Sequence, residues 1–229
     1  MATNLSQTVS LKDITGVAPQ LYSEPIDPRR AALIIVDMQG LLTTSTHPVK
    51  VRTGELRAAL SGCEKLLLAA RENAIRVVHI LLGSWTMDGS DLSDNKQRAN
   101  KLYMAQGRDP VAERAWDPED IQVMPSLTPI KGEITLRKTS ASAFTTTGLC
   151  SILHNMQVRY TVFAGQFTEG CLGLTALDAS DHGFAATLAD GACYGASSAG
   201  HLVMLRMFDQ HWGRVRTVDE LALEFKGRP

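Results

Sequence analysis

Ala31-Ala32-Leu33-Ile34-Ile35-Val36 is an unbroken apolar run that stops at Asp37. A strand with one wet face alternates apolar and polar residues. A strand without that alternation is covered on both faces, as in a parallel sheet flanked by helices. This segment alone argues for an α/β chain. The run is followed by a helical pattern over 54–72, with Thr53 as its cap and Leu56, Leu60, Leu67 and Ala70 at helical spacing, and then by a second apolar strand at 76–82 (RVVHILL). These three segments make one β-α-β unit.

The alternation pauses over 83–130, which is rich in Asp, Ser and Pro and holds one short predicted helix at 94–104. It then resumes as a strand at 133–137, a helix at 146–157, a strand at 159–164, a helix at 170–181 and a strand at 184–188. A helix at 197–211, a strand at 215–218 and a helix at 219–225 complete it. Such regularity predicts a doubly wound, Rossmann-like, mostly parallel six-stranded sheet with helices on both faces. With 229 residues the chain is sized for one such domain, at 30–229, preceded by an irregular arm at 1–29. Long insertions between elements usually carry function, so 40–50 and 83–130 are the expected pocket-forming segments.

Charge narrows the partners. Lys and Arg number 23 against 24 for Asp and Glu, with no run of five like charges, so the electrostatic footprint of a nucleic-acid binder is missing and a small molecule is the expected partner. The first 28 residues lack the apolar core of a signal peptide, and no stretch approaches the roughly 20 apolar residues of a membrane span. The four cysteines, at 63, 150, 171 and 193, form no Cys-x-x-Cys pair, and the six histidines show no ligand spacing. A cytoplasmic protein without metal or cofactor is the resulting expectation.

In a doubly wound sheet ligands collect beyond the carboxyl ends of the strands, where the strand order reverses. Three chemically capable residues fall at such ends: Asp37 after the first strand, Lys138 after the third, and Cys171 in the turn after the fourth. Nucleophilic catalysis by a thiol requires a base to take the proton and a cation to hold the thiolate, and Asp37 and Lys138 are suited to those roles. Lys138 and a helix N-terminus beside Cys171 predict a thiol pKa about two units below normal, about 2.7 kcal/mol of differential stabilisation. Each residue also has a plainer use: an Asp ending a strand caps turns, a lone Lys is solvated, and a free Cys is a small buried hydrophobe. Their convergence makes the chemical reading the stronger one.

Two rival readings use the same chain. Gly191-Ala192-Cys193-Tyr194-Gly195 copies the nucleophile elbow of α/β-hydrolase esterases, though only 36 residues follow Cys193 to supply an acid and a His. A catalytically inactive oligomeric scaffold of the same fold is the other. Trp85 and Trp116, in or beside the long insertion, are candidates to wall a pocket or to seal a subunit interface.

Three segments taken together resemble the isochorismatase-like cysteine hydrolases: 31–39 (AALIIVDMQ), 138–149 (KTSASAFTTTGL) and 165–176 (GQFTEGCLGLTA), followed by Asp181-His182-Gly183-Phe184. The resemblance spans roughly 30–225 and implies Asp37, Lys138 and Cys171 as an Asp-Lys-Cys triad, with hydrolysis of a small linear amide or ureido (N-carbamoyl) compound through a thioester and release of ammonia. It also implies a non-proline cis peptide at Gln166-Phe167, with the Phe167 and Cys171 N–H groups facing the oxyanion, and a homodimer or homotetramer. Two departures bear on the substrate. The segment 83–94 (GSWTMDGSDLSD) lacks the histidines of the zinc-binding nicotinamidases, and 189–200 holds no Arg or Lys where carboxylate-binding members place an Arg. On the sequence a neutral or ureido-type amide is favoured, unless a cation such as Arg206 arrives from a helix.

Overall fold

The computed structural model describes residues 24–40, 53–106 and 121–227. The remainder of the expected arm, the segment 41–52, Trp116 and the Thr53 side chain lie outside the described residues. Six strands form one sheet: β1 (Ala31–Val36), β2 (Arg76–Leu82), β3 (Ile134–Lys138), β4 (Tyr160–Gln166), β5 (Ala185–Tyr194) and β6 (Arg214–Thr217). Their order is β3-β2-β1-β4-β5-β6 and every pairing is parallel. The order reverses between β1 and β4, the crevice anticipated from the sequence.

All six residues of β1 are buried, and they alternate between two cores. Ala31, Leu33 and Ile35 meet Leu66 and Ala70 of α1 (Thr53–Glu72) and Leu221 and Phe225 of α7 (Val218–Phe225). Ala32, Ile34 and Val36 meet the other side, where Leu149 and Leu153 of α4 (Leu149–Asn155), Leu172 and Ala176 of α5 (Cys171–Asp181) and Phe208 of α6 (Ser198–His211) pack. The period-two geometry of a strand turns one apolar run into the centre of two cores. The packed body extends upstream of β1: Ile26 is buried, with its N–H donating to the Glu224 carboxylate.

Three boundaries differ from expectation for identifiable reasons. The predicted helix at 146–157 is the shorter α4, with a separate turn of helix, α3 (Ala143–Thr146), ahead of it, because Thr147 takes an extended backbone and its hydroxyl accepts from the Leu149 N–H to open α4. β5 runs on to Tyr194, past the expected end at Leu188. Asp190 and Gly191 read as a strand end, yet they form a bulge: Phe163 pairs with Leu188, while Gly165 pairs with Cys193. Third, Lys138 is the last residue of β3 rather than the residue after it. The insertion contains α2 (Asp94–Ala105), close to its predicted bounds. Among the described residues no helix is long and apolar enough to cross a membrane.

Candidate active site

Asp37 stands where β1 stops. Its N–H still donates to the Ile80 carbonyl at 2.8 Å, but its φ of +55° swings the chain out of the sheet. Gln39 then completes the edge that β1 has left. Its side-chain amide donates to the Leu82 carbonyl (2.8 Å) and its carbonyl accepts from the Leu82 N–H (2.7 Å), mimicking one more strand residue. From the other side the Gln166 amide donates to the Asp37 carbonyl at 2.8 Å. This clamp requires β4 close to β1, and Gly165, at φ +118°, permits it: a Cβ there would lie 2.0 Å from the Val36 carbonyl oxygen.

Lys138 reaches this carboxylate from two strands away. Parallel neighbours lie about 4.8 Å apart, so β3 and β1 are separated by roughly 10 Å, a span that a Lys and an Asp side chain cover together once β2 has ended at Leu82. Its Nζ is 2.9 Å from Asp37 Oδ2 and donates to the Ser140 carbonyl at 3.1 Å; both side chains are essentially inaccessible. Burial opposes the ammonium form, yet the Asp37 carboxylate and the adjacent Cys171 sulfur outweigh it, and the Lys138 pKa is raised. The pair is unsaturated: among the described residues the buried Asp37 Oδ1 has no hydrogen-bond partner.

Cys171 opens α5, so its N–H is among the first-turn donors that have no acceptor within the helix. The loop before it is fixed by backbone. The Thr168 N–H donates to the Tyr194 carbonyl (2.9 Å), and the Gly170 and Leu172 N–H groups donate to the Phe167 carbonyl. The Gln166-Phe167 peptide is cis, as the resemblance implied. The thiol interacts with both Asp37 and Lys138, but its pKa moves opposite to expectation. Burial, then the Asp37 charge, push it up to about 11 against the lowering influence of Lys138. The resting sulfur is therefore a thiol at neutral pH.

A model of the isochorismatase domain matches residues 31–220. The chain belongs to the isochorismatase family. Among curated relatives, it is 30% identical over 200 residues to the maleamate amidohydrolase of Pseudomonas putida, covering 82% of this chain and 84% of that one. It is 29% identical over 163 residues to the ureidoacrylate amidohydrolase of Cronobacter turicensis, covering 66% and 68%. Amide hydrolysis is the activity these relatives' names share. Among solved structures, a cysteine hydrolase from Pseudomonas syringae superposes with a TM-score of 0.78 at 24% identity over 93% of this chain and 99% of that one. The N-carbamoylsarcosine amidase of Thermoplasma acidophilum gives 0.65 at 19% identity over 83% and 97%.

Within this isochorismatase fold the expected residues fare differently. Asp37, Lys138 and Cys171 meet, with Gln166 at the end of β4 and Phe167 in the loop that follows it beside them. Trp85 is held by Arg137, whose guanidinium lies 4.3 Å from the ring centroid, and by Asp91, which accepts from its N–H. It is 66% exposed, and none of its described contacts is with the three central residues. Arg206 is exposed on α6. Cys193 lies inside β5, buried and paired with Gly165, and α6 begins only at Ser198, so the strand-turn-helix of a nucleophile elbow is not formed.

Two residues escaped the sequence reading. Glu169 accepts from the N–H (2.7 Å) and hydroxyl (3.2 Å) of Ser197, tying the loop before Cys171 to the start of α6. Lys96, half-buried on α2, donates from Nζ to the Thr139 carbonyl at 2.7 Å, one residue beyond Lys138. A lysine on a short polar helix in an insertion looks solvated from sequence, and only the tertiary fold turns it inward.

Proposed function

We propose that the protein is a cysteine amidohydrolase that cleaves the C–N bond of a small linear amide or ureido compound and releases ammonia, with Asp37, Lys138 and Cys171 as its catalytic residues. The observation that carries this reading is the buried Asp37–Lys138 pair, with one carboxylate oxygen unpartnered, beside the thiol that opens α5. Asp37 takes the thiol proton as the sulfur attacks the amide carbonyl, and Lys138 holds the developing thiolate. The N–H groups of Phe167 and Cys171 receive the oxyanion. The protonated Asp37 returns its proton to the leaving nitrogen, ammonia departs, and a thioester remains. Asp37, again a carboxylate, deprotonates a water that attacks the thioester, freeing the acid and restoring the thiol.

The raised thiol pKa supports this order of events, because a thiol that ionises only near pH 11 calls for a base in contact with it. Four free cysteines support a reducing, cytoplasmic setting. Leu174 of α5 and Leu202 and Met207 of α6, each more than a third exposed on adjacent helices, support a homodimer or homotetramer that light scattering would detect.

The test is ammonia release from nicotinamide, maleamate, N-carbamoylsarcosine, ureidoacrylate and biuret, with wild type, Cys171→Ala and Cys193→Ala compared, each with and without chelator. Turnover abolished by Cys171→Ala and retained by Cys193→Ala and chelator is the expected result. Release from none of these, or loss with Cys193→Ala alone, would overturn it.

A further inference from the structure

The charges grouped around Lys138 and Lys96 do not balance. One carboxylate, Asp37, acts on both ammonium groups, and Lys138 is paired with it. The second ammonium belongs to Lys96. Its Nζ and that of Lys138 hang on the carbonyls of Thr139 and Ser140, neighbours in one turn that leaves β3. Among the described residues Lys96 makes no ion pair with a carboxylate; the acid on its own helix, Asp94, is engaged by Arg98. An ammonium carries three donors, and one carbonyl uses one of them. While Cys171 is a thiol, Asp37, Lys138 and Lys96 together thus carry a net positive charge, and passing the thiol proton to Asp37 leaves that charge unchanged.

Burying an unpaired cation is costly unless a ligand supplies the missing anion. The cost is visible at Lys96, whose pKa is lowered first by burial and then by the Lys138 charge. Its ionisation responds also to Cys171 and Asp37, which puts its ammonium within electrostatic reach of the reacting sulfur. The segment 189–200, which holds the carboxyl end of β5 beside the nucleophile loop, contains no Arg or Lys that could do the same.

We infer that Lys96 binds a carboxylate of the substrate, which makes the preferred substrate an anionic amide, a short amido or ureido acid, rather than a neutral one. The inference rests on the amidohydrolase reading, for which the sequence had favoured a neutral or ureido amide. α2 holds one end of the ligand while Cys171 attacks the other, so the distance between them selects chain length. Lys96 is in this account a specificity residue, touching substrate away from the bond that breaks.

The test separates binding from turnover. Oxamate, malonamate, maleamate and succinamate, each against its uncharged diamide, are titrated by calorimetry into Cys171→Ala, which cannot turn them over, and into the double variants adding Lys96→Met or Lys96→Arg. At least one anionic amide should bind about tenfold to a hundredfold more tightly than its diamide, the difference expected of a hydrogen bond between charged groups. Lys96→Met should erase that preference, and Lys96→Arg should keep part of it. With Cys171 present, Lys96→Met should raise KM for the anionic amide far more than it lowers kcat and far more than it raises KM for neutral amides. A wild-type site that prefers no anionic amide to its diamide, or a preference that survives Lys96→Met, would overturn the inference. So would an equal loss on neutral and anionic amides, which would assign Lys96 to the thiol. Binding that depends on Lys96 without ammonia release from any amide would instead defeat the amidohydrolase reading and leave the carboxylate site standing.

Discussion

Two ion pairs buried among the described residues, Arg214–Glu224 and Lys138–Asp37, are built to different ends. Arg214 on β6 meets Glu224 on α7, and both ions are well supplied: the guanidinium also donates to the Thr187 hydroxyl and the Glu24 carbonyl, and Glu224 also accepts from the Ile26 N–H. Neither side chain has a buried polar atom without a partner. Asp37 and Lys138 are at least as deeply buried, yet among the described residues Asp37 Oδ1 has no hydrogen-bond partner and a second ammonium nearby has no carboxylate paired with it. Buried ions repay their desolvation only when their remaining valences are satisfied. The saturated pair fastens the C-terminal helix to the sheet and the segment before β1; the unsaturated one keeps capacity for atoms that are not part of the protein.

The contrast can be broken at either end. The largest effect should come from Cys171→Ala and Lys138→Met, which should lower kcat by about 10⁴-fold or more, as for other removed members of a nucleophilic unit, while urea unfolding shows a folded protein. Arg214→Met should do the opposite. It strands Glu224 without its counter-ion and should cost about 3–5 kcal/mol in urea denaturation, with activity per folded molecule retained. If Arg214→Met abolished activity in folded protein, the division of labour between the pairs would fail.

Asp37→Asn sharpens the unsaturated side. The Asp37 charge helps hold the thiol up near 11, so removing it should lower the thiol pKa and speed alkylation of Cys171 by iodoacetamide at pH 8, even as turnover disappears. Slower alkylation would show that Asp37 does not raise the thiol pKa. The smallest effect is on stability at alkaline pH. Burial raises the Cys63 thiol to about 12 and Cys171 to about 11, so the folded chain holds these protons more tightly than the unfolded one, whose thiols titrate near 8.5. Their contribution is complete below the unfolded value and is lost as pH rises from about 9 towards 11 and 12. The denaturation midpoint should fall over that window, and less in Cys171→Ala.

Much of this was legible in the chain. The run ending at Asp37 fixed the central strand, and the strand-helix rhythm gave the sheet order its prior, because burial on both faces and crossover handedness leave few alternatives. Asp37, Lys138 and Cys171 could be picked out because each follows or ends such a strand. The direction of the thiol pKa could not: sequence shows a lysine and a helix start, whereas the depth of burial that outweighs them is a property of packing. β5 was cut short because Asp190-Gly191 looks the same as a bulge or as an ending. Lys96 was invisible for a related reason, since a polar helix in an insertion carries no apolar stripe to say which side turns inward.

β3 is an edge strand of the sheet and among the described residues pairs only with β2, yet it delivers the Lys138 ammonium across β2 to Asp37. Its opening end is pinned from α1 by Arg71, which grips the Glu133 carboxylate through two nitrogens, and by His79 of β2 on the same carboxylate. Outer strands are the first to exchange their amides and to detach. A molecule so arranged can be silenced by the peeling of five residues at its margin, with both cores intact; in rising urea, turnover should vanish while the helical signal is still that of the native state.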